Sequence, residues 1–414
     1  MNIEVINTGS ELLIGQVINT NVGRLGQELL SLGLSINRQI TVPDGEGIKD
    51  VIGESIKRSD IVLITGGLGP TDDDLTREMV SEHIGLQLVE DGVLVDYIRR
   101  RIESNGSKMR EINLKQAMVP VGAVVLHNAN GTAPGLYIKP SDRTEGAQIY
   151  LLPGPPRELM PIFQEQVIPL IKNSLMEYGM DVPVCVNTFF SGIGESELAS
   201  RIDDMNLYEE GDFDLGYCLK PGGVVVRCIG QLSTVNRASE IIREAFSDEY
   251  ISNVHTSLPR AVVDELRQRE QSVAIAESCT GGLISSLITD VSGSSKVFGV
   301  GYVTYANNAK EETLDVSNDD LDDFGAVSEP VVKSMVEGCL EKSDADHAVA
   351  VSGIAGPTGG TVEKPVGTVF IGIASKGEGT YVRRYCYSSD RLIFKEKVSM
   401  TALNLLRKRV VGLL

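Results

Sequence analysis

The chain has 414 residues, which at roughly 100–200 residues per domain predicts about two to four domains. Its 38 Lys and Arg residues against 57 Asp and Glu residues give a net charge of −19, which disfavours a general nucleic-acid binder and a polybasic membrane anchor, since both need a basic surface. Small phosphorylated ligands are not excluded, because they need only a local pocket.

The cysteines and histidines disfavour several kinds of site. The six cysteines are scattered without a C-x-x-C pair, so neither a zinc knuckle nor a disulfide framework is indicated. The four histidines are too few to favour a histidine triad or a His-rich metal site. Residues 1–6 are typical of a strand rather than a leader, and no apolar run approaches the ~18 residues of a membrane span. We therefore expect a soluble protein of the reduced cytoplasm.

The first part of the chain alternates apolar runs with segments of helical periodicity. Continuous apolar runs suit strands that are buried on both faces, which predicts a parallel sheet covered by helices. We assign this α/β domain to residues 1–173. Its predicted elements are the strands Ile3–Thr8, Ile61–Thr65 and Ile149–Leu152 and the helices Asn21–Leu32 and Arg157–Tyr178.

Two further domains follow. Residues 174–252 carry short alternating runs and a helix, typical of a small α+β module, and residues 253–414 restart the strand–helix alternation. The expected fold class is therefore α/β, with two three-layer α/β/α domains joined by the small module. The predicted elements are the strands Val184–Phe190, Val224–Ile229, Ser272–Ala276, Val297–Thr304, Ala348–Ser352 and Val366–Ala374, and the helices Ser196–Met205, Leu258–Arg269, Leu283–Asp290, Val331–Lys342 and Leu392–Leu406.

The sharpest motif of the first domain is Gly66–Thr76, which joins a buried strand to a helix. Glycines at such a turn let backbone N–H groups approach an anion, and the helix N-terminus adds partial positive charge, so the motif predicts a phosphate or pyrophosphate site. The neighbouring carboxylates of Asp73 and Asp74 would repel phosphate unless a divalent cation lies between them, which makes both candidate metal ligands. The alternative is that these aspartates only cap the helix.

Other glycine-bearing loops follow predicted strands of the same domain. Because open α/β sheets bind ligands at the carboxyl ends of their strands, we expect these loops to contribute to the same site. They are Thr8–Glu11, Asn128–Gly135 and Pro153–Glu158.

In the last domain, Ala276–Gly282 repeats the strand–turn–helix pattern with a serine in the turn. Ser278 is a candidate nucleophile, and a lysine of depressed pKa, Lys310 beside Tyr305, is the candidate base, since no histidine is close in sequence. The alternatives are that Ser278 is an N-cap, that Cys279 is the nucleophile, and that Lys310 is a solvated surface residue.

Further loops are expected at the same sheet end. Ser352–Gly360 follows a strand and can hold a phosphate with backbone N–H groups, and Arg391 at the start of the last helix can form paired hydrogen bonds with phosphate. Gly293-Ser294-Ser295 can bring a second hydroxyl close to Ser278.

Over its whole length the chain resembles the CinA (competence/damage-inducible protein A) family. The first part is similar to the family's molybdopterin-binding-like domain and the last part to its nicotinamide-nucleotide amidohydrolase domain. The motifs that carry the resemblance are Thr8–Gly15, Thr20-Asn21, Gly66–Thr76, Asn128–Gly135, Pro153–Glu158, Ala276–Gly282, Gly293–Ser295, Tyr305–Lys310, Gly325–Ser328, Ser352–Gly360 and Lys364–Thr368.

The resemblance implies a bifunctional enzyme of pyridine-nucleotide metabolism. The last domain would convert nicotinamide mononucleotide to nicotinate mononucleotide and ammonia, without a cofactor. Ser278 would be the nucleophile, Lys310 the base and Tyr305 the supporting phenol, with Ser295 near the reacting amide. The positions expected to contact its substrate are Thr280, Gly281, Gly282, Ser352, Gly353, Gly356 and Arg391.

For the first domain the resemblance implies hydrolysis of ADP-ribose to AMP and ribose 5-phosphate. A divalent metal of the Co²⁺, Mg²⁺ or Mn²⁺ class would be held by Asp73 and Asp74, with K⁺ assisting in some members. The positions expected to contact substrate are Gly9, Glu11, Asn21, Gly66, Gly67, Gly69, Thr71, Thr76, Gly131 and Gly154.

The resemblance further implies a homodimer and a KH-type middle module, although the negative charge gives no reason to expect nucleic acid or a membrane as partner. The chain departs from the family pattern at Gly223, where an acid is usual, and at Ser389, where a glycine is common. The competing interpretation is a binding protein that holds a pterin or nucleotide without turnover, as an accessory of molybdenum-cofactor or competence and recombination pathways.

Overall fold

In the computed structural model the chain forms two compact units. The first unit contains Met1–Cys185 with Gly230–Leu232, and the second contains Val186–Ile229 and Ser233–Leu414. The described part of the predicted middle module falls largely in the second unit, and its boundaries at 174 and 252 stay a prediction. The structure describes residues 1–104, 106–177, 183–207, 211–254 and 257–414.

The first unit is built on a mixed sheet flanked by helices. The sheet order is β2-β1-β3-β8-β7-β6, in which β2, β1, β3 and β8 are parallel, and β4 pairs with β5 separately. Its strands are β1 (Ile3–Thr8), β2 (Arg38–Val42), β3 (Ile61–Thr65), β4 (Leu88–Glu90), β5 (Met118–Pro120), β6 (Val124–Leu126), β7 (Gly135–Ile138) and β8 (Gln148–Leu152). Its helices are α1 (Ser10–Leu13), α2 (Asn21–Leu30), α3 (Gly47–Ser55), α4 (Thr76–His83), α5 (Gly92–Ser104), α6 (Pro156–Ile162) and α7 (Ile168–Glu177).

Alternation along the strands divides the apolar side chains between two cores. Ile3 and Val5 of β1 pack with α2, α6 and α7, whereas Ile6 packs with α3 and α4 on the other face. Both faces of β1 and β3 are therefore buried, which is why these strands are continuous apolar runs in the sequence. The predicted three-layer arrangement is confirmed for this unit.

The helix predicted over Arg157–Tyr178 is not continuous. A π-helical segment, Phe163–Val167, separates α6 from α7. Pro161 lies inside the preceding helix, and because proline has no N–H group to donate, it removes one hydrogen bond of the regular ladder just before the change of pitch. Tyr178 lies outside the described residues.

The second unit contains two sheets. One has the order β10-β11-β9-β12 and the other the order β14-β13-β15-β16-β17, with β14, β13 and β15 parallel and β16 and β17 antiparallel. The strands are β9 (Val184–Phe190), β10 (Phe213–Lys220), β11 (Gly223–Gly230), β12 (Tyr250–Ser252), β13 (Val273–Glu277), β14 (Phe298–Val303), β15 (His347–Gly353), β16 (Thr368–Ser375) and β17 (Tyr381–Cys386). The helices are α8 (Glu195–Asp203), α9 (Leu232–Ala245), α10 (Leu258–Gln268), α11 (Leu283–Thr289), α12 (Asn307–Leu314), α13 (Asn318–Phe324), α14 (Glu329–Ser343) and α15 (Arg391–Val410).

The two faces of the larger sheet differ in side-chain size. On one face, branched residues such as Ile275 and Val349 pack against α10 and α15. On the other face, alanines such as Ala274 and Ala350 pack against Val332 and its neighbours on α14. Small residues on the strands allow a helix backbone to approach the sheet closely. The described fold is therefore α/β with helices on both faces, as the sequence predicts.

The smaller sheet shares a core with the larger one. Phe189 of β9 and Val225 of β11 are buried in the same cluster as residues of α10 and α15. This burial explains why these strands belong to the second unit. The KH-type character expected of this segment stays a prediction. Within the described residues, no helix combines the length and the apolar character needed to cross a membrane.

We predict that Phe189→Ala destabilises the protein by about 3–5 kcal/mol, because it removes a fully buried ring and leaves a cavity between the sheet and the helices. The measurement is the urea-unfolding midpoint of the full chain. Phe324→Ala is the matched control, since Phe324 is 49% exposed and its truncation should change stability by less than about 0.5 kcal/mol. Equal effects of the two substitutions would contradict the shared core.

Candidate active sites

Ser278 directly follows β13, an interior strand of the larger sheet of the second unit. β13 ends at Glu277, and the backbone N–H of Ser278 donates to the carbonyl of Val351 on β15 at 3.0 Å. The turn that follows delivers the chain to α11, which begins at Leu283. Ser278 is largely buried and lines a cavity of about 220 Å³. The side chains that line this cavity include Ser278, Tyr305, Lys310, Ser352 and Arg391.

Glu277, not Ser278, satisfies the N-terminus of α11. Its fully buried carboxylate accepts hydrogen bonds from the N–H groups of Gly282 and Ser285 at 3.0 and 2.8 Å, and from the Ser285 hydroxyl at 2.8 Å. The N–H of Ile284 donates to the same carboxylate at 3.1 Å. The N-cap interpretation of Ser278 is therefore unnecessary, and the serine hydroxyl is left to face the cavity. Sequence reasoning missed Glu277, whose only signal was a carboxylate directly before the turn.

Lys310 is buried rather than solvated. Its side chain is 0% exposed, and its amino group donates to the carbonyls of Thr304 and Tyr305 at 2.9 and 3.2 Å. Burial lowers the pKa of Lys310 below the ordinary lysine value, because the charged form loses its hydration. A neutral amine has two hydrogens to donate and one lone pair, so these two bonds leave the lone pair free to accept a proton.

Arg391 and Tyr305 are held together at the cavity. Arg391 donates to the Tyr305 hydroxyl at 3.0 Å and to the carbonyl of Gly356 at 3.1 Å. The carboxylate of Asp390 caps α15 by accepting from the N–H groups of Leu392 and Ile393, each at 3.0 Å, and this cap fixes the start of the helix that carries Arg391. The site therefore contains a positioned cation beside a phenol.

The remaining predicted residues of this site are placed differently from one another. Ser352 lines the cavity and donates from its hydroxyl to the carbonyl of Ala326 at 2.6 Å, and Gly353 lines the cavity beside it. Thr280 is buried behind the cavity, with no partner for its hydroxyl among the described residues. Ser295 is exposed in the turn Ser294–Lys296 and is not among the lining residues.

The glycines of the turn, Gly281 and Gly282, do not line the cavity. Their φ angles are 62° and 94°, a region that favours glycine, so they shape the turn that carries Ser278. Gly356 acts through its carbonyl, which accepts from Arg391.

The Cys279 thiol lines the same cavity but is a poor nucleophile. Burial raises the pKa of Cys279 to about 12, so the reactive thiolate is scarce at neutral pH. The serine beside it needs no such ionisation when a neutral amine accepts its proton. The local geometry favours Ser278 over Cys279.

The first unit holds a larger cavity, of about 680 Å³, at the carboxyl ends of its parallel strands. Thr8, Thr65 and Pro153, which end or follow β1, β3 and β8, all line it. This is the edge at which open α/β sheets bind ligands. The predicted residues that line the cavity are Gly9, Glu11, Asn21, Gly66, Gly67, Gly69, Asp73, Asp74 and Gly154.

Three predicted residues are not among those that line this cavity. Thr76 is the first residue of α4, and its hydroxyl is 3.1 Å from that of Thr8. A side chain at Gly67 would collide with the Thr76 hydroxyl, so the glycine is required there. Gly131 packs against the Glu158 carboxylate in the same way. Thr71 is engaged with Asp74 and is not among the lining residues.

Asp74 has a structural role that the sequence motif alone did not show. Its carboxylate accepts hydrogen bonds from the N–H of Thr71, at 3.0 Å, and from the Thr71 hydroxyl. It also packs against Gly69, so it closes the loop on itself as aspartate does in turns. Asp73 is exposed to solvent.

These carboxylates fit only one kind of metal site. Within the described residues, no three His, Cys, Asp or Glu side chains are grouped to hold a metal ion. Mg²⁺-like cations, however, are commonly held by one or two carboxylates together with substrate phosphates and water. The donor set therefore fits a cation that arrives with a phosphorylated ligand, with Asp73 as the available carboxylate and Asp74 partly committed to Thr71.

Two amide oxygens of the same cavity are buried without partners. Asn21 donates from Nδ2 to the carbonyl of Gly154 at 2.8 Å, which leaves its Oδ1 unpaired, and Gln116 Oε1 is unpaired as well among the described residues. Buried acceptors without partners are costly, so they favour a ligand that brings donors such as hydroxyl groups. Gln116 was not anticipated from the sequence.

Comparisons with known proteins cover both units. Residues 255–410 match the family model of the CinA C-terminal domain, and residues 4–173 match that of the probable molybdopterin binding domain. The chain is 44% identical over 403 residues to a CinA-like protein of Akkermansia muciniphila, covering 97% of this chain and 96% of that one.

Solved structures match part of the chain. The competence/damage inducible protein CihA of Agrobacterium tumefaciens is 40% identical, with a TM-score of 0.36 over 36% of this chain and 92% of that chain. The protein CinA with unknown function of Thermoplasma acidophilum is 32% identical, with a TM-score of 0.37 over 40% of this chain and 97% of that chain.

We predict that Cys279 resists a thiol reagent in the folded protein. With a pKa of about 12 it is ionised to only about one part in 10⁴ at pH 8, whereas Cys218 and Cys386 are exposed. Mass spectrometry after brief labelling at pH 8 should find the label on Cys218 and Cys386 and not on Cys279. Labelling of Cys279 at the rate of Cys386 would contradict the burial of this thiol.

Proposed function

The chain belongs to the CinA family, and we propose that its second unit hydrolyses the carboxamide of nicotinamide mononucleotide to nicotinate mononucleotide and ammonia. The observation that carries this proposal is the convergence of the Ser278 hydroxyl and the buried Lys310 amine on one small cavity. A neutral amine beside a serine supports amide hydrolysis without histidine.

The reaction would proceed through an acyl-enzyme. Lys310 Nζ accepts the Ser278 proton as Oγ attacks the carboxamide carbon, and the same proton then passes to the departing ammonia. A water molecule next attacks the ester, again giving its proton to Lys310, and the nicotinate product leaves as the serine hydroxyl is restored. The lone pair of Lys310 is available for these transfers because its two N–H bonds point to the carbonyls of Thr304 and Tyr305.

Arg391 is proposed to bind the nucleotide phosphate. Its guanidinium lies at the mouth of the cavity, bonded to Tyr305 and to the Gly356 carbonyl, and a guanidinium can offer further N–H groups to phosphate. This orientation would place the ring carboxamide deeper, toward Ser278. Ser352 lines the same cavity as a second hydroxyl.

For the first unit we propose hydrolysis of ADP-ribose to AMP and ribose 5-phosphate. The support is the 680 Å³ cavity at the strand ends, its Gly66–Gly69 loop and the exposed carboxylate of Asp73. When bound, a divalent cation would neutralise the diphosphate beside these carboxylates and activate water. Asn21 and Gln116 would accept hydrogen bonds from ribose hydroxyls.

A second candidate for the first unit is binding of a pterin or nucleotide without turnover. It is favoured by the match of residues 4–173 to a probable molybdopterin binding domain. Measurable release of AMP from ADP-ribose by the purified protein would exclude it.

We predict that Ser278→Ala lowers ammonia release from nicotinamide mononucleotide by at least about 10³-fold, because it removes the nucleophile. Cys279→Ala should retain most of the activity, since that thiol is protonated and buried. The two adjacent substitutions are matched controls for each other, and a coupled ammonia assay measures both. A dead Cys279→Ala with an active Ser278→Ala would overturn the assignment.

We predict that Asp73→Asn combined with Asp74→Asn abolishes ADP-ribose cleavage and leaves ammonia release unchanged. The reason is electrostatic, since the two carboxylates would bind a cation with the diphosphate, whereas the Ser278 cavity is lined by no carboxylate among the described residues. Chelator should have the same effect on the unmodified chain. The single variant Asp73→Asn separates the metal role from the structural role of Asp74. Equal loss of both activities in folded protein would contradict this division.

A further inference from the structure

The second unit contains another cavity, of about 950 Å³, that neither proposed reaction uses. It shares no lining residue with the Ser278 cavity. Its walls come from α15, from the end of β17, from the turn that joins β10 to β11 and from the loop before α8. A volume of this order is typical of pockets that hold a small molecule, which range over roughly 300–1,000 Å³.

One face of α15 forms the longest wall. The residues that line the cavity recur at intervals of three and four, which places them on one side of the helix. Met400 and Leu405 are buried and give an apolar floor, whereas lysines stand toward the ends of the wall. The α15 residues lining the cavity are Ile393, Glu396, Lys397, Met400, Thr401, Asn404, Leu405 and Lys408.

The charge of this cavity is opposite to that of the chain. Lys220, Arg383, Lys397 and Lys408 line it against the single carboxylate of Glu396. Among the described residues, none of the four cations takes part in an ion pair. In a chain of net charge −19, carboxylates are abundant, and the excess of cations over the single carboxylate here favours an anionic ligand.

Two tyrosines with stacked rings contribute to the wall of the cavity. The rings of Tyr385 and Tyr387 are nearly parallel, with centroids 6.0 Å apart and planes 7° apart. The hydroxyls of Tyr387 and Thr401 lie 2.6 Å apart, a hydrogen bond that fixes the ring. Burial raises the pKa of Tyr385 to about 12, so its ring carries no charge that would repel an anion. Such a wall suits a planar, stacking group.

A buried amide completes the polar groups of this cavity. Asn404 is only 8% exposed, lines the cavity, and has an Oδ1 without a partner among the described residues. A buried acceptor of this kind favours a ligand that brings an N–H or O–H donor. The cavity thus combines three lysines outside any ion pair, an aromatic surface and an unpaired acceptor, while Arg383 lies over the Tyr385 ring, 5.3 Å from its centroid.

We propose that this cavity binds a nucleoside monophosphate. Its phosphate is held by Lys397. Its base stacks on the tyrosine wall and donates to Asn404. The site goes beyond both proposed reactions, since it contains none of the nucleophilic or metal-binding residues assigned to them.

The chain contains no tryptophan, so one introduced tryptophan can report on ligand binding by its fluorescence. In the full chain, Tyr385→Trp keeps an aromatic ring and places a single fluorophore in the cavity wall. Titration with AMP should quench its emission saturably, whereas adenosine, which lacks the phosphate, should bind at least about tenfold more weakly. Tyr381→Trp, on the same strand but outside the cavity, is the control and should show no AMP-dependent change. An emission change caused by AMP bound at any other site should appear in the Tyr381→Trp control as well.

A charge-reversal variant provides a second test of the same proposal. Lys397→Glu should weaken AMP binding at least about tenfold in the Tyr385→Trp background. Lys333→Glu, at an exposed position of α14 outside the cavity, should leave it unchanged. A second measurement uses equilibrium dialysis of chains that keep Tyr385. The chain with native Lys397 should bind one more AMP per chain than the Lys397→Glu variant.

Three outcomes would overturn the proposal. They are no saturable quenching by millimolar AMP, equal binding with and without Lys397→Glu, and tighter binding of a ten-nucleotide oligoadenylate than of AMP. The last result would identify a polynucleotide as the ligand instead. Circular dichroism of each variant establishes that it is folded before these results are compared.

Discussion

A buried lysine without a carboxylate partner is the constraint around which the second unit is arranged. The Lys310 side chain is fully buried, and within the described residues it forms no ion pair, only hydrogen bonds to two backbone carbonyls. A charged amine in that position would be costly, because an isolated buried charge loses its hydration without compensation. The fold therefore favours the neutral amine, and this lowered pKa is what a general base for Ser278 requires. The turn after β14 supplies both carbonyls, and it therefore helps to set the protonation and orientation of the lysine amine.

Both units place their candidate sites at the carboxyl ends of parallel strands. They differ in how the N-terminus of the helix that follows the site loop is hydrogen-bonded. In the second unit the buried Glu277 carboxylate occupies the N–H groups of α11, so that helix end is closed to an anionic ligand. In the first unit the loop before α4 is tied by Asp74 to Thr71 and by Gly67 to Thr76, which leaves the cavity edge open beside Asp73. A site whose helix N-terminus is already occupied suits acyl transfer by a serine, whereas an open, acidic edge suits a phosphorylated ligand that brings its own cation.

The sequence predicts best the strands with a long apolar run or a clear alternation, and it misses strands that are short or interrupted by charged residues. Ile3–Thr8, Ile61–Thr65 and Val184–Phe190 have the predicted bounds, because apolar runs or alternation mark them directly. β17 was missed, since exposed charged residues such as Arg384 interrupt its pattern. The candidate sites were likewise predicted only in part. Motifs identify which loops carry chemistry, but the capping by Glu277 and the Thr71–Asp74 bonds depend on turn geometry, which spacing does not encode.

The last helix connects two cavities of the second unit. Its first residue, Arg391, contacts Tyr305 at the Ser278 cavity, and residues from Ile393 to Lys408 line the larger cavity. The Asp390 cap and twenty residues of continuous helix make it a stiff element, so a ligand that displaces its face at Lys397 must also displace Arg391 or bend the helix. Any such coupling is reciprocal, because the free energy by which one ligand changes the binding of the other is the same in both directions. Because Arg391, the residue proposed to bind the substrate phosphate, begins this helix, α15 is the element through which occupancy of the larger cavity would reach the substrate.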